Sequence, residues 1–335
     1  PLHDVNAKSS AVFGQFSMQP DDTLKLTFGF RSTNDEKDAV GGTKVQIRPP
    51  CGGPFCWVNV GSQSYSPEDS WSSSTYKLGI DKYINDDRMV YATMSTGYKA
   101  GGFNFGVSSA ESYDPEELTA FEVGSKNRFN GGRMQLNASV FYYDYTDLQV
   151  LQVVDQTIVV RNAAEADISG AELEFVYAVS DNMRVDASLG LLEAEYKKFI
   201  LPSSLFLDAS GDPTNIDVSG NRLINAPKYS GHIGAEHDFD SGKFGTFTVR
   251  GQLYMTDDIY LRALNLEPYD LQEGYTTLDV KVMWESEDSR WFGEVFINNC
   301  TDEDVITNQE VTDSGIYFAN LNRPRSWGVV VGVRF

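Results

Sequence analysis

The final stretch reads Trp327-Gly-Val-Val-Val-Gly-Val-Arg-Phe335. Side chains alternate between two faces along an extended strand, so Trp327, Val329, Val331, Val333 and Phe335 form one apolar row. Gly328, Val330, Gly332 and Arg334 form the opposite row, which is mostly small or polar. Chain ends fray in water, and a water-soluble domain rarely carries an oily row to its last residue. A strand with lipid on one side and water on the other does. The stretch therefore sets a test for the rest of the chain, which is whether the pattern repeats.

It does. Leu24, Leu26, Phe28 and Phe30 oppose Lys25, Thr27, Gly29 and Arg31. Met134, Leu136, Ala138, Val140 and Tyr142 oppose Gln135, Asn137 and Ser139, and Met183, Val185, Ala187, Leu189 and Leu191 oppose Arg184, Asp186, Ser188 and Gly190. Leu278, Val280, Val282 and Trp284 oppose Thr277, Asp279 and Lys281. Short turn signals separate such runs at 19–22, 85–87, 130–132, 180–182, 240–242 and 286–289, which is the signature of β-hairpins. The joining segments 34–69, 100–114, 199–225, 260–273 and 303–316 are longer and rich in Gly, Ser, Asp, Asn and Pro. Short turns at one end and long loops at the other predict an all-β, antiparallel transmembrane β-barrel of up-and-down strands. Six hairpins and the closing strand give about 13 strands, many of them longer than the roughly 9–11 residues that cross lipid. They should project beyond the bilayer on the loop side.

Thirteen is odd, and single-chain bacterial barrels have even strand numbers. The expectation is that residues 1–335 form one partial barrel domain whose earlier strands lie outside the sequence, which opens Pro-Leu-His-Asp without a signal peptide. With an unpaired strand at each edge, the chain on its own is expected not to fold stably.

Composition agrees. Of 335 residues 41% are hydrophobic and 13% aromatic, and the 20 Phe and 17 Tyr suit interfacial girdles. Mean hydropathy is -0.33, and no apolar run reaches the roughly 18 residues of a spanning helix. The net charge of -21 would repel phosphate backbones, so nucleic acid is excluded as a partner. The acidity solubilises long loops; attraction of cationic ligands, or of divalent ions near lipopolysaccharide, is the sharper alternative.

Candidate chemistry is sparse. Cys51 and Cys56 bracket Gly-Gly-Pro-Phe, which suits a small disulfide-closed loop, with two free thiols as the alternative; Cys300 stands alone. The three histidines are His3, His232 and His237, and the last two, five apart on a strand, face opposite sides and cannot share a metal. No metal site, cofactor motif, nucleophile elbow or His-Glu-x-x-His is present. The reading is not an enzyme.

Several stretches carry a resemblance. Tyr98-Lys-Ala-Gly-Gly-Phe-Asn104 follows a strand, and Tyr113-Asp-Pro-Glu-Glu-Leu precedes Phe121-Glu-Val-Gly-Ser-Lys126. Phe141-Tyr-Tyr-Asp-Tyr145, Asn162-Ala with Gly170-Ala-Glu-Leu-Glu174, Asn221-Arg-Leu-Ile-Asn-Ala-Pro227 and Ile297-Asn-Asn-Cys-Thr-Asp-Glu-Asp304 follow, and Arg323-Pro-Arg-Ser-Trp327 leads into the closing strand. Seven such stretches in this order resemble the C-terminal barrel of TonB-dependent outer-membrane receptors over nearly the whole chain. Cys300 stands where that family usually has Leu.

The resemblance implies the last 13 or so strands of a 22-stranded barrel with a plugged lumen. The plug domain and the TonB box are absent from this sequence. It further implies a receptor in the bacterial outer membrane, in contact with lipid and lipopolysaccharide, that takes up a scarce nutrient with energy from the TonB complex of the inner membrane. A ferric siderophore is the commonest ligand class, ahead of cobalamin, haem or oligosaccharide. The terminal Phe335 matches the family's signal to the barrel-assembly machinery. Ligand contacts are assigned to loop side chains, with Phe55, Trp57, Phe103, Asn104 and Tyr269 as the candidates, because aromatic groups offer large contact area at small entropic cost; loop packing is the competing role for each. The rivals are a passive porin-like channel, a soluble secreted all-β carbohydrate-binding module and, last, an outer-membrane hydrolase, for which no Ser/His pairing is visible.

Overall fold

A computed structural model describes residues 2–47, 58–105, 111–154, 157–207, 213–311 and 317–335. Thirteen strands follow one another in a single antiparallel sheet, each paired with its predecessor in the path. They are β1 (Leu2–Asp21), β2 (Leu24–Ile47), β3 (Glu68–Asn85), β4 (Arg88–Lys99), β5 (Glu116–Phe129), β6 (Met134–Val154) and β7 (Thr157–Ala178). Then come β8 (Met183–Leu207), β9 (Tyr229–Asp240), β10 (Thr246–Thr256), β11 (Tyr275–Glu285), β12 (Trp291–Asn298) and β13 (Ser326–Val333). Strands Val58–Tyr65 and Pro213–Asp217 add to β2 and β8 outside this path. The sheet is open: β1 and β13 do not pair with each other.

All six predicted turns join consecutive strands at one end. The Asn-Gly-Gly turn shows why its residues are needed, since Asn130, Gly131 and Gly132 all have positive φ (53°, 65° and 88°). Asn tolerates that region and Gly adopts it freely. Register then sorts the side chains. Phe16 pairs with Phe28, and Phe28 with Leu78. Val295 pairs with Val329, and Gly293 with Val331. These apolar rows are open to the outside: Phe28 is 47% exposed, Val329 62% and Val331 70%. A fold stabilised by burial in water would hide them; a fold that meets lipid displays them.

The arms at the other end are longer than the loop signals implied. β2 runs through 34–47 and β8 through 199–207, both expected as loop, and Ile306–Val311, inside another expected loop, pairs with Tyr317–Leu321 just beyond it. Beyond the bilayer both faces of a hairpin are wet, so alternation disappears while backbone pairing continues. β6 and β7, of 21 and 22 residues, stay paired as far as Val154 and Thr157. Two clusters of buried side chains lie at this loop end and are described next.

Candidate ligand-binding surface at the loop end

The first cluster joins Ala39, Trp71 and Phe103, with Tyr98, Ala100 and Phe105 packed against them. The Gly-Gly pair makes it possible. A Cβ on Gly101 would collide with the Trp71 ring and the Tyr113 carbonyl, and one on Gly102 with the Tyr113 ring. Lys37 Nζ donates to the Gly101 carbonyl at 2.6 Å and lies 5.6 Å from the Trp71 ring centre. The next residue, Asn104, behaves as a short piece of strand: its side chain donates to Val160 O at 2.8 Å and accepts from Val160 N–H at 2.7 Å. Asn162 clasps the same connection, accepting from Asp114 N–H and donating to Asp114 O, each at 2.7 Å. Gln149 donates to Ala100 O and Asp114 O at 3.1 Å. Phe103 and Asn104 are thus both buried and bound to other parts of the protein.

A second cluster joins Ala164, Tyr196, Phe199 and Val218, with Leu223, Ala263 and Leu264 against it. Two connections interlock above it. Asn221 donates to Ala263 O (2.9 Å) and Leu264 O (3.1 Å), and Arg222 N–H donates to Asn265 Oδ1 at 2.9 Å. The Arg222 guanidinium donates to the Ala226 and Asp258 carbonyls at 2.9 Å and lies 5.3 Å from the Tyr260 ring centre. Asp270 has no exposed surface; it accepts from Arg262 and, at 2.9 Å, from Leu266 N–H. Gln272 Oε1 accepts from Ile306 N–H at 2.7 Å, tying on the third connection.

On this base sits an open aromatic ledge. Tyr269, 56% exposed, stacks on Tyr317, 42% exposed, with ring centres 5.2 Å apart and planes 23° from parallel. Arg262 lies 5.7 Å from the Tyr317 ring centre. Tyr269 is a sequence candidate; Arg262 and Asp270 are not, because irregular connections have no periodicity to mark an inward or outward residue, and Tyr317 opens a short strand that no turn signal marks. Phe55, Trp57, Cys51 and Cys56 lie outside the described residues. Phe335 is fully exposed beside Arg334, which reaches Glu285 at 2.7 Å.

The polar face between the turns and the loops carries an ion-pair ladder. Arg250 holds Asp186 by two hydrogen bonds, 2.8 and 3.1 Å, and lies 3.9 Å from Glu236. His232 bridges Ser188 (2.7 Å) and Asp186 (3.3 Å), while His237 packs on Phe239 at 4.4 Å. Ser188 and His232, 44 residues apart, do therefore meet, because β8 and β9 place them opposite each other. The aspartate of that trio is already spent on Arg250, so the arrangement is that of a wall of paired charges. Among the described residues no group of three or more His, Cys, Asp or Glu is placed to hold a metal. Cys300 is a free thiol, half-buried.

The fold recurs in known proteins. A family model described as "TonB dependent receptor-like, beta-barrel" matches residues 2–299. The pesticin receptor of Yersinia pestis is 24% identical over 336 residues, covering 99% of this chain and 44% of the receptor. A probable TonB-dependent siderophore receptor of Acinetobacter baumannii, PiuA, is 25% identical over 174 residues, 49% of this chain and 22% of its own length. The chain thus spans less than half the length of these curated relatives. Among solved structures, the ferric yersiniabactin uptake receptor FyuA of Yersinia pestis superposes with a TM-score of 0.80 at 20% identity, over 99% of this chain and 46% of that one. PiuA superposes with a TM-score of 0.74 at 19% identity, over 99% and 44%. Such receptors reside in the outer membrane of bacteria. The family model covers most of the chain, and the chain belongs to the TonB-dependent receptor family, being part of its β-barrel.

Proposed function

We propose that the protein carrying this chain is an outer-membrane receptor that takes up a scarce nutrient, a ferric siderophore, by energy-coupled transport. The observation that carries this reading is the loop end. Three connections are locked to one another by buried polar groups, yet they present exposed tyrosines to the outside. That combination suits a rigid surface for a compact ligand, because a preorganised site loses little entropy on binding. Relatives named as receptors for ferrioxamine B and for a metal-pseudopaline complex support the ligand class. Transport then follows the family scheme: loops capture the chelate, a plug senses occupancy, and the TonB complex opens a path along the charged wall. Outer-membrane lipid and lipopolysaccharide surround the apolar face, and the barrel-assembly machinery inserts the chain.

The test is uptake of radiolabelled iron from a panel of chelates by cells with and without the intact receptor, and with and without a functional TonB complex. Uptake that needs both is expected. Diffusion of small solutes that continues without the TonB complex would replace this reading with a passive channel.

A further inference from the structure

We infer that the Tyr269–Tyr317 pair is a stacking platform for a planar aromatic ring of the ligand, so that the receptor prefers iron chelates built on phenol or catechol rings to aliphatic hydroxamates. This rests on the siderophore reading and specifies its ligand class.

Several large aromatic side chains at this end turn inward, Trp71 being 8% exposed, Phe103 8%, Tyr196 4% and Phe199 2%, whereas Tyr269, Tyr317 and its neighbour Phe318 (58%) face outward. Tyr269 and Tyr317 are held outward by different connections and still meet nearly face to face. Water favours burying such rings, so what fixes Tyr269 outward is the structure beneath. Asp270 follows Tyr269 directly, is fully buried, and pins the backbone through Leu266 N–H and Arg262. Leu261 N–H donates to the Asp270 carbonyl at 2.8 Å, closing the same loop from the other side. A tyrosine on such a base cannot fold into the cluster. Arg262 is already paired with Asp270, and Glu267 accepts from the Tyr260 hydroxyl at 2.6 Å, so among the described residues these two charges are engaged and the ledge offers ring surface. Offset stacking on a further ring is the interaction that such a surface gives best.

The experiment uses the full-length receptor in its outer membrane. The probes are radiolabelled ferric complexes of a tris-catecholate, a phenolate–thiazoline and a tris-hydroxamate chelator. At least one aromatic complex is expected to bind in preference to the hydroxamate. Replacing both tyrosines (Tyr269→Leu with Tyr317→Leu) should weaken its binding about tenfold, the effect of losing one or two stacked contacts. Tyr269→Phe with Tyr317→Phe should retain it, with equal receptor in the membrane for every variant. Preference for the hydroxamate, or aromatic binding unchanged in the double Leu variant, would overturn the platform and leave the siderophore reading standing. Failure of all three complexes to bind would overturn that reading as well.

Discussion

Asp270 is the residue on which the loop end turns. A carboxylate without solvent needs compensation, and it receives it from Arg262 and the Leu266 N–H. Asp270→Ala would leave the Arg262 guanidinium uncompensated, its side chain only 17% exposed. Breaking a buried pair from one side costs about 3 kcal/mol, which is on the order of a 100-fold rise in local opening. Protease cleavage within 257–274 on intact cells should rise accordingly, while the amount of receptor in the membrane stays the same; unchanged cleavage would show that the pair is not what holds the loop. At the turn end the exposed Asp21 plays a smaller part of the same kind. The Thr23 hydroxyl (2.6 Å) and the Thr23 N–H (2.7 Å) donate to it and hold its carboxyl below the usual carboxylate range. A folded value below the unfolded one means that the contribution is present above the unfolded pKa, about 4, and is lost as pH falls through the folded pKa. Hydrogen exchange at the Thr23 amide, corrected for its intrinsic rate, should therefore speed up below about pH 4 in the native protein. In Asp21→Asn, which has no carboxyl to titrate, that acid dependence should vanish.

Between neighbouring strands one device recurs: an aromatic ring lies over a glycine on the adjacent strand. Tyr91 covers Gly124, Phe141 covers Gly170, Phe296 covers Gly328 and Phe292 covers Gly332. A glycine in a strand has no side chain to pack, and a ring across the ladder fills the gap and pins the register. Gly332→Val would have to displace the Phe292 ring, an overpacking that costs about 1–3 kcal/mol. Gly251→Val, where a Cβ meets nothing within 4 Å, should be neutral. Mobility of unheated samples on gels separates folded from unfolded barrel, and a lower folded fraction for Gly332→Val alone is the expected result. The elements themselves were legible because lipid on one face and water on the other impose period two: Met134–Tyr142 and Met183–Leu191 declare it residue by residue. So were the six turns, whose Asn, Asp and Gly are demanded by backbone geometry. Outside the bilayer that constraint lapses, so 34–47 and 199–207 read as loop although they are paired strand. The ledge lapses further. Tyr269 could be named only as an aromatic loop residue, and nothing in sequence joins it to Tyr317.

At the scale of the molecule everything depends on which face meets lipid. Phe28 and Val331, named from alternation alone, are 47% and 70% exposed, while the opposite face carries the Asp186–Arg250–Glu236 ladder. A water-soluble sandwich would invert this, burying the apolar rows against a second sheet. The two architectures differ in the cost of a charge at adjacent residues. Val329 belongs to the apolar row and pairs with Val295; Val330 points to the other face, opposite Glu294. In a lipid-facing wall Val329→Arg should cost about 2–4 kcal/mol, the range for arginine near the bilayer midplane, and Val330→Arg far less, since its side chain enters a watery space beside a carboxylate. Carrying the same pair of substitutions down the strand sharpens the test. The penalty at outward positions should shrink toward the turn end, because a charge near the interface reaches water, whereas the inward positions should show no such gradient. Equilibrium unfolding of the full-length receptor from lipid vesicles in denaturant measures each cost. Equal penalties at Val329 and Val330 would mean that both faces share one environment, and the assignment of lipid and lumen would have to be given up.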